Sequence, residues 1–205
     1  MKRVWLNLLL LCAAASLSAQ SYQRIDRYEE DLYGKRLHVS GSFTQLQQVR
    51  DYWSREYTRL KGYEQYDITL CGNGESVLRI SIPVSELFQP NDSVLSIQSE
   101  GVLRPFLRLL RGDGAKATVL VACHSDNNGS PCYLEHITTR RAKAICTWMR
   151  RQGVESRSAR AYGVGNHVSL NDNRTLSDRE ANRRVTFYLV PNRHMLKLAK
   201  RRKLV

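Results

Sequence analysis

The stretch that most constrains the fold runs from Ala117 to Ala142, where an apolar segment, a polar loop and a helical pattern follow one another. Thr118 to Ala122 is rich in β-forming residues, which predicts a short buried strand. Residues 127–131, Asn-Asn-Gly-Ser-Pro, predict a loop. A helical pattern then runs from Ile137 to about Gln152, and Gly153 stands where helices commonly end. The stretch therefore predicts a strand, loop and helix unit.

The predicted helix carries one charge within its apolar face. At 100° per residue, Arg141 falls between Trp148 and Ile145. A guanidinium cannot lose its charge, so it needs an anionic partner there. Asp126, at the end of the preceding strand, is the acidic candidate. The two side chains would present an anion and a cation at the edge of a groove; the alternative is an internal ion pair that braces loop and helix.

Several short motifs follow one another from this stretch onward. They are Cys123-His124-Ser125-Asp126, Gly129-Ser130, Tyr133-Leu134, Ile137-Thr138, Arg140-Arg141-Ala142, Gly163-Val164-Gly165, Asn173, Thr175, Arg179 and Asn182-Arg183-Arg184-Val185. In this order they resemble the OmpA-like peptidoglycan-binding domains. The resemblance reaches back to Leu87-Phe88 and covers about half of the chain.

The order of predicted elements defines a fold class. From Arg79 onward strands and helices alternate, which predicts an α/β sandwich with a mixed sheet and helices on one face. The resemblance implies the same arrangement, an OmpA-like βαβαβ(α)β order. The predicted organisation is a signal peptide (1–20), an N-terminal extension (21–75), the OmpA-like domain (76–191) and a basic tail (192–205).

Individual elements are predicted from periodicity, turn residues and caps. The helices are expected at Ser42 to Lys61, Ile97 to Arg111 with a kink at Pro105, Ile137 to Gln152, and from Ser177. The strands are expected at Tyr66 to Cys71, Val77 to Pro83, Thr118 to Ala122, Ser158 to Tyr162, and Val185 to Val190.

The resemblance implies a site for the diaminopimelate residue of the peptidoglycan stem peptide. The Asp and Arg with which family members hold this residue fall on Asp126 and Arg141. Asp126 would accept from the ligand ammonium, and Arg141 would bind its carboxylate through two parallel hydrogen bonds. The residues expected at the site are Ser125, Asp126, Asn128, Tyr133, Leu134, Arg141 and Arg184.

The motifs depart from the family pattern at a few positions. Cys123 stands where the family has Gly, and Leu134 replaces an Asn whose amide lies near the ligand in family members. Arg183 and Arg184 match a pair of family arginines. One of them is expected to line the site, and the alternative is an ion pair that packs the last strand.

The first twenty residues read as a secretory signal cleaved near Ala19 or Gln20. The apolar run from Trp5 to Ala15 is shorter than the ~20 residues that a membrane-spanning helix needs. The mature chain would keep four cysteines in an oxidising compartment, which allows up to two disulfides in three connectivities. A Cys123–Cys132 bridge is favoured, and buried reduced thiols are the alternative.

The formal net charge is +13, which favours anionic partners. A secretion signal argues against nucleic acid. The partners expected are peptidoglycan and, beyond it, outer-membrane proteins or an anionic envelope surface. The tail from His194 to Val205 is predicted to be a solvated end with a short helix, and a membrane-surface patch is the alternative.

The leading function is a non-catalytic protein of the Gram-negative envelope without a cofactor. It would bind the diaminopimelate-containing stem peptide and tether the outer membrane, or a complex attached to it, to the wall from the periplasm. One alternative is an interaction module on the same fold that has lost wall binding through Leu134 and Cys123. A second is a zinc protein, with ligands from Cys123, His124, Cys132 and His136.

Overall fold

The computed structural model of the protein describes residues 37–204. The predicted signal peptide and residues 21–36 of the predicted N-terminal extension lie outside the described residues. The helices are α1 Phe43–Leu60, α2 Ser99–Leu107, α3 Pro131–Arg151, α4 Leu176–Asn182 and α5 Arg193–Lys200. The strands are β1 Asp67–Cys71, β2 Val77–Pro83, β3 Ala117–His124, β4 Ala159–Gly165 and β5 Arg184–Pro191.

The strands form a single mixed sheet in the order β1-β2-β5-β3-β4. Among the strands of residues 37–204 only the β3–β4 pair is parallel, and β5 lies antiparallel between β2 and β3. From β2 to β5 the elements follow the order βαβαβ(α)β. The predicted fold class, an α/β sandwich with a mixed sheet and helices on one face, is confirmed.

The main hydrophobic core lies between one face of the sheet and helices α1, α2, α3 and α5. Val119 and Val121 of β3 face this core, together with Phe187 of β5 and Trp53 of α1. The alternate residues of the strands belong to a second, smaller cluster on the other face, which Leu37 helps to cover. On the central strands β3 and β5 both faces of the sheet are therefore buried.

Helix α3 begins six residues earlier than predicted, at Pro131. The Ser130 side chain caps it by accepting a hydrogen bond from the Tyr133 N–H at 3.3 Å. A serine N-cap followed by proline at the first helical position is a strong start signal, and it outweighs the polar composition of the stretch. As a result, Tyr133 and Leu134 lie on the first turn of the helix and not in a loop.

Two other helix boundaries also differ from prediction. Helix α2 is shorter than predicted at both ends. It begins at Ser99, after Ile97, which is 97% exposed, and it ends at Leu107, two residues after Pro105. The kink at Pro105 stays a prediction. Helix α4 begins at Leu176, since Thr175 and Asp178 form the capping box in place of Ser177.

Helix α3 packs directly on β4 at Gly163. A Cβ atom at this position would lie 2.1 Å from the Thr139 Oγ1 atom and 2.4 Å from the Thr139 N atom. Only glycine therefore allows the helix and the strand to approach this closely. This contact gives a physical reason for the first glycine of the G-x-G motif.

The N-terminal helix and the basic tail both contribute to the main core. The indole Nε1 of Trp53 donates to the Ser76 carbonyl at 2.8 Å, which ties α1 to the start of β2. The short helix predicted in the tail is present, but Met195 and Ala199 are buried, so the expectation of a solvated end is wrong for this side of α5. Within residues 37–204 no helix is both long and apolar enough to cross a membrane.

Candidate functional site

A groove of about 720 Å³ lies where β3 ends, α3 begins and the chain enters β5. Six of the seven residues predicted for the site line it: Ser125, Asp126, Asn128, Tyr133, Leu134 and Arg141. They converge because the carboxyl end of a strand and the first turns of the following helix meet at the same edge of the sheet. The structure therefore brings Asp126 and Arg141 to one open cavity.

Asp126 is buried at the base of the groove, and its carboxylate accepts two hydrogen bonds. One oxygen, Oδ1, accepts from the backbone N–H of Asn128 at 3.1 Å. The other, Oδ2, accepts from Nη1 of Arg183 at 2.5 Å. These two hydrogen bonds offset part of the cost of burying the carboxylate.

Arg141 is also buried, but its partners are neutral. Its Nε donates to the Asp92 carbonyl at 2.7 Å, and Nη2 donates to the Gln89 carbonyl at 3.5 Å. The guanidinium carbon lies 5.4 Å from the centre of the Phe88 ring, within cation–π range. Among residues 37–204 no ion pair joins Arg141 to Asp126, so the alternative of an internal brace between them is wrong.

The loop whose carbonyls bind Arg141 also contains a carboxylate, that of Asp92. Both Val94 and Ser93 donate their backbone N–H groups to the Asp92 carboxylate. These bonds, and then the positive charge of Arg141, hold the pKa of Asp92 below its ordinary value. The carboxylate thus stays ionised near Arg141 while the Asp92 carbonyl positions the guanidinium.

The remaining predicted residues form the walls and floor of the groove. The Ser125 N–H donates to the Gly165 carbonyl at 2.8 Å, which joins the ends of β3 and β4. The half-exposed Tyr133 donates its hydroxyl to the Asn91 side chain at 3.4 Å, across the groove from α3 to the loop before α2. Leu134 is buried and presents an apolar surface where the family has an amide.

The structure corrects the choice between the paired arginines. Arg183 lines the groove, whereas Arg184 does not: its guanidinium donates to the Val168 carbonyl at 3.2 Å and the Asn182 carbonyl at 3.4 Å. Consecutive residues entering a strand point to opposite faces. One position of register therefore decides which arginine reaches the site.

The groove also contains residues that the sequence did not assign to the site. They come from the end of β2 and the segment after it, from α3, and from α4 with the residue that follows it: Pro83, Val84, Ser85, Phe88, Gln89, Pro90, Asn91, Ile137, Ser177, Glu180, Ala181 and Arg183. Phe88, Ile137 and Arg183 already belonged to motifs that carry the resemblance. The others carry no local signal, because only the tertiary fold brings α4 to the start of α3.

The predicted disulfide between Cys123 and Cys132 is not formed, since the four cysteines of the described chain are free. Cys123 lies in the main core, where burial raises its pKa to about 12. Cys132 is exposed on the first turn of α3. Because α3 begins at Pro131, Cys132 lies on a solvent-exposed helical turn, whereas Cys123 lies in the main core.

The residues considered for zinc are also separated. His124 is buried, and burial followed by the charge of Arg184 lowers its pKa to about 3, so it is neutral near pH 7. In the part of the chain that the structure describes, no three His, Cys, Asp or Glu side chains are grouped to hold a metal ion. The zinc alternative therefore has no ligand set there.

Comparison with known proteins agrees with this architecture. Residues 87–183 match the OmpA family, so the chain carries an OmpA-like domain, as predicted. A MotB-like protein from Desulfovibrio vulgaris is similar in structure, with 18% identity, a TM-score of 0.63, and coverage of 72% of this chain and 97% of that one. No curated protein sequence matches the chain significantly.

Two further solved structures share the fold. The cell wall anchor of the T6SS from Pseudomonas aeruginosa has 18% identity and a TM-score of 0.58, with 68% of this chain and 96% of that chain covered. The periplasmic domain of MotB from Helicobacter pylori has 12% identity and a TM-score of 0.55, with 69% and 89% covered. At these identities the likeness establishes the fold.

Proposed function

We propose that this protein is a non-catalytic component of the cell envelope that binds peptidoglycan through the groove between β3, α3 and α4. The OmpA-like domain supports the proposal, as does the fold shared with a cell wall anchor. The observation that carries it is that Asp126 and Arg141 line one open groove without pairing with each other.

The charges of the groove suit the free end of a diaminopimelate residue. Its ammonium would bind Asp126, and its carboxylate would bind Arg141, which the Gln89 and Asp92 carbonyls already orient. Arg183 would move from Asp126 to a second carboxylate at the end of the stem peptide. Its side chain is 38% exposed, so it has room for this movement.

Leu134 makes the site less polar than the family pattern. Its buried side chain replaces an amide, so recognition would depend on the three charged residues and the hydroxyl of Tyr133. Binding dominated by charge weakens as salt increases. We therefore propose a salt-sensitive interaction that tethers the outer membrane, or a complex attached to it, to the wall from the periplasm, with no cofactor.

The decisive experiment is sedimentation of the purified protein with peptidoglycan sacculi. We expect the wild type to co-sediment and Asp126→Asn and Arg141→Gln each to weaken binding about tenfold or more, since each removes a charge-assisted hydrogen bond. A soluble muropeptide that contains diaminopimelate should compete with the sacculi. Failure of the wild type to sediment would overturn the proposal.

The matched controls are Asp172→Asn and Arg174→Gln. These residues form an exposed ion pair at 3.3 Å away from the groove lining, so both variants should bind sacculi like the wild type. Circular dichroism melting curves must show that the Asp126 and Arg141 variants are folded at the assay temperature. Equal loss of binding in groove and control variants would also count against the groove.

Two observations favour a second candidate, an interaction module of the same fold that no longer binds the wall. Asp126 is already neutralised by Arg183, and Leu134 fills the position of a family amide. In that case neither the wild type nor the variants would sediment with sacculi at any salt concentration. The pull-down therefore separates the two candidates directly.

A further inference from the structure

The exposed positive charge is concentrated in α1 and α5 with the residues that follow each helix. Residues 43–61 and 193–203 contain ten lysines and arginines, and all ten are exposed: Arg50, Arg55, Arg59, Lys61, Arg193, Lys197, Lys200, Arg201, Arg202 and Lys203. The same segments contain two carboxylates. Asp51 is exposed beside Arg50, while Glu56 is buried and pairs with Arg59 and Arg108.

The two segments lie side by side and run in the same direction. Near the start of α1, Gln45 donates its side-chain amide to the Leu196 carbonyl at 3.2 Å. Farther along, the Arg55 guanidinium donates to the Leu204 carbonyl at 3.3 Å. The cations of both segments therefore form one surface, which we call the basic helix pair (the exposed residues of 43–61 and 193–204).

The end of the tail is folded. The N–H of Lys203 donates to the Leu198 carbonyl at 2.9 Å, and that of Arg202 donates to the Ala199 carbonyl at 3.0 Å. These two bonds, with φ at 53° for Arg202, form the Schellman motif that closes α5. The last four basic residues are thus held in place beside α1 rather than trailing into solvent.

The apolar side of α5 is already used. Met195 and Ala199 are buried in the main core, so this helix cannot turn an apolar face into a bilayer. The basic helix pair exposes ten long cationic side chains, and its exposed large hydrophobic residues are Phe43 (83% exposed) and Tyr57 (39% exposed). Arginine is common in protein interfaces, but their cores are depleted in charged residues as a whole. A leaflet of anionic lipid requires mainly charge density, and ten cations supply it here.

The basic helix pair begins at the end of the sheet opposite the groove. Asn192, the N-cap of α5, donates its N–H to the Lys116 carbonyl, just before β3 begins. Asp126 lies just beyond the other end of β3, and eight residues of strand span about 26 Å. A ligand in the groove and a surface at the start of α5 can therefore be contacted at the same time.

We propose that the basic helix pair binds the surface of a lipid bilayer through its anionic headgroups. The interaction is peripheral and electrostatic, and it does not depend on the function proposed for the groove. Each lysine or arginine near an anionic leaflet strengthens binding severalfold. Screening by salt weakens it, because the side chains are exposed to solvent.

The test is co-sedimentation with vesicles. We expect binding to mixed phosphatidylcholine and phosphatidylglycerol vesicles, release as salt rises, and no binding to vesicles of phosphatidylcholine alone. The triple variant Lys200→Gln, Arg201→Gln, Lys203→Gln should bind the anionic vesicles on the order of a hundredfold more weakly. No binding by the wild type, or equal binding to neutral vesicles, would overturn the proposal.

The matched control is the triple variant Lys143→Gln, Arg151→Gln, Arg160→Gln. These side chains are also exposed but lie on α3 and β4, so the net charge falls by the same amount away from the basic helix pair. It should bind anionic vesicles nearly as well as the wild type, and equal loss in both triples would contradict a local site. Asp126→Asn should bind vesicles normally, so the result is independent of the sacculus experiment.

Discussion

Asp126 and Arg183 form an ion pair of unequal exposure, with 6% of the carboxylate side chain and 38% of the arginine side chain accessible. The carboxylate bears the larger desolvation cost, and the partly exposed guanidinium offsets it. This asymmetry gives the pair two properties. It stabilises the fold at the base of the groove, and it leaves one partner able to respond to a ligand.

We expect Arg183→Ala to lower the free energy of unfolding by about 1–3 kcal/mol, because it leaves a buried carboxylate with a single N–H donor. The exposure of Arg183 keeps the effect below that of a fully buried pair. Urea unfolding followed by circular dichroism measures it. Arg174→Ala, which breaks an exposed pair, should change stability by less than about 1 kcal/mol.

The double variant Asp126→Ala, Arg183→Ala gives the sharper test of the pair. If the two residues are coupled as the structure shows, its loss of stability will be smaller than the sum of the single losses. Additive losses would mean that the pair contributes nothing as a pair.

Arg141 shows how a charge can lie in an apolar helix face without a hydrogen bond to a carboxylate. The helical pattern correctly predicts that its side chain points inward, but its hydrogen bonds go to the carbonyls of Gln89 and Asp92. Those residues lie about fifty positions earlier in the chain, so no local pattern around Arg141 identifies them. The carbonyls orient the guanidinium while leaving it positively charged toward the groove.

At the scale of elements, the ends of the helices matter more to this protein than their middles. The start of α3 places Tyr133 and Leu134 in the groove, and the end of α5 holds the last basic residues beside α1. Both ends follow known capping rules. The second departs from them in one respect, since the left-handed position of the Schellman motif is occupied by Arg202 and not by glycine.

We expect Arg202→Gly to raise the free energy of unfolding by about 0.5–1 kcal/mol, because glycine adopts the left-handed conformation without steric cost. The matched control is Arg201→Gly, which removes the same charge at a position with φ at −87°. That variant should be neutral or destabilising. Thermal unfolding compares the two, and equal effects would show that charge rather than backbone conformation is responsible.

At the scale of the whole molecule, the folded unit extends beyond the family match at residues 87–183. Helix α1, β1, β2 and α5 all contribute to the main core. The predicted boundary between residues 75 and 76 falls in the turn between two paired strands. The predicted domain limits stay predictions, but α1 and α5 cannot be removed without exposing core side chains to water.

We expect Trp53→Ala to destabilise the whole protein by about 3–5 kcal/mol, since it leaves a cavity and an unpaired Ser76 carbonyl. Tyr57→Ala on the same helix, where the side chain is partly exposed, should cost less than about 1 kcal/mol. Urea unfolding should show one cooperative transition in each case. An unchanged transition midpoint for Trp53→Ala would show that α1 is a separate unit.

Local patterns in the chain were enough to predict the order of strands and helices, the mixed sheet, and the convergence of Asp126 with Arg141. Periodicity, turn residues and caps act over a few positions, and a strand, loop and helix that follow directly in sequence have little freedom to place these two residues apart. Ser130-Pro131 shows the limit of this approach. The polar composition of the stretch favoured a loop while Ser130 and Pro131 favoured a helix start, so the start of α3 was predicted six residues too late.

Long-range packing decided the other features. Arg183 and not Arg184 reaches the groove, and carbonyls from a distant segment bind Arg141. Cys123 is buried while Cys132 is exposed, and the basic tail folds onto α1. Each depends on strand register, or on segments far apart in the chain meeting in space. A shift of one residue in strand register reverses the direction of every side chain. Contacts between distant segments produce no local sequence pattern from which they could be predicted. These features are therefore determined only when distant segments pack together in the hydrophobic core.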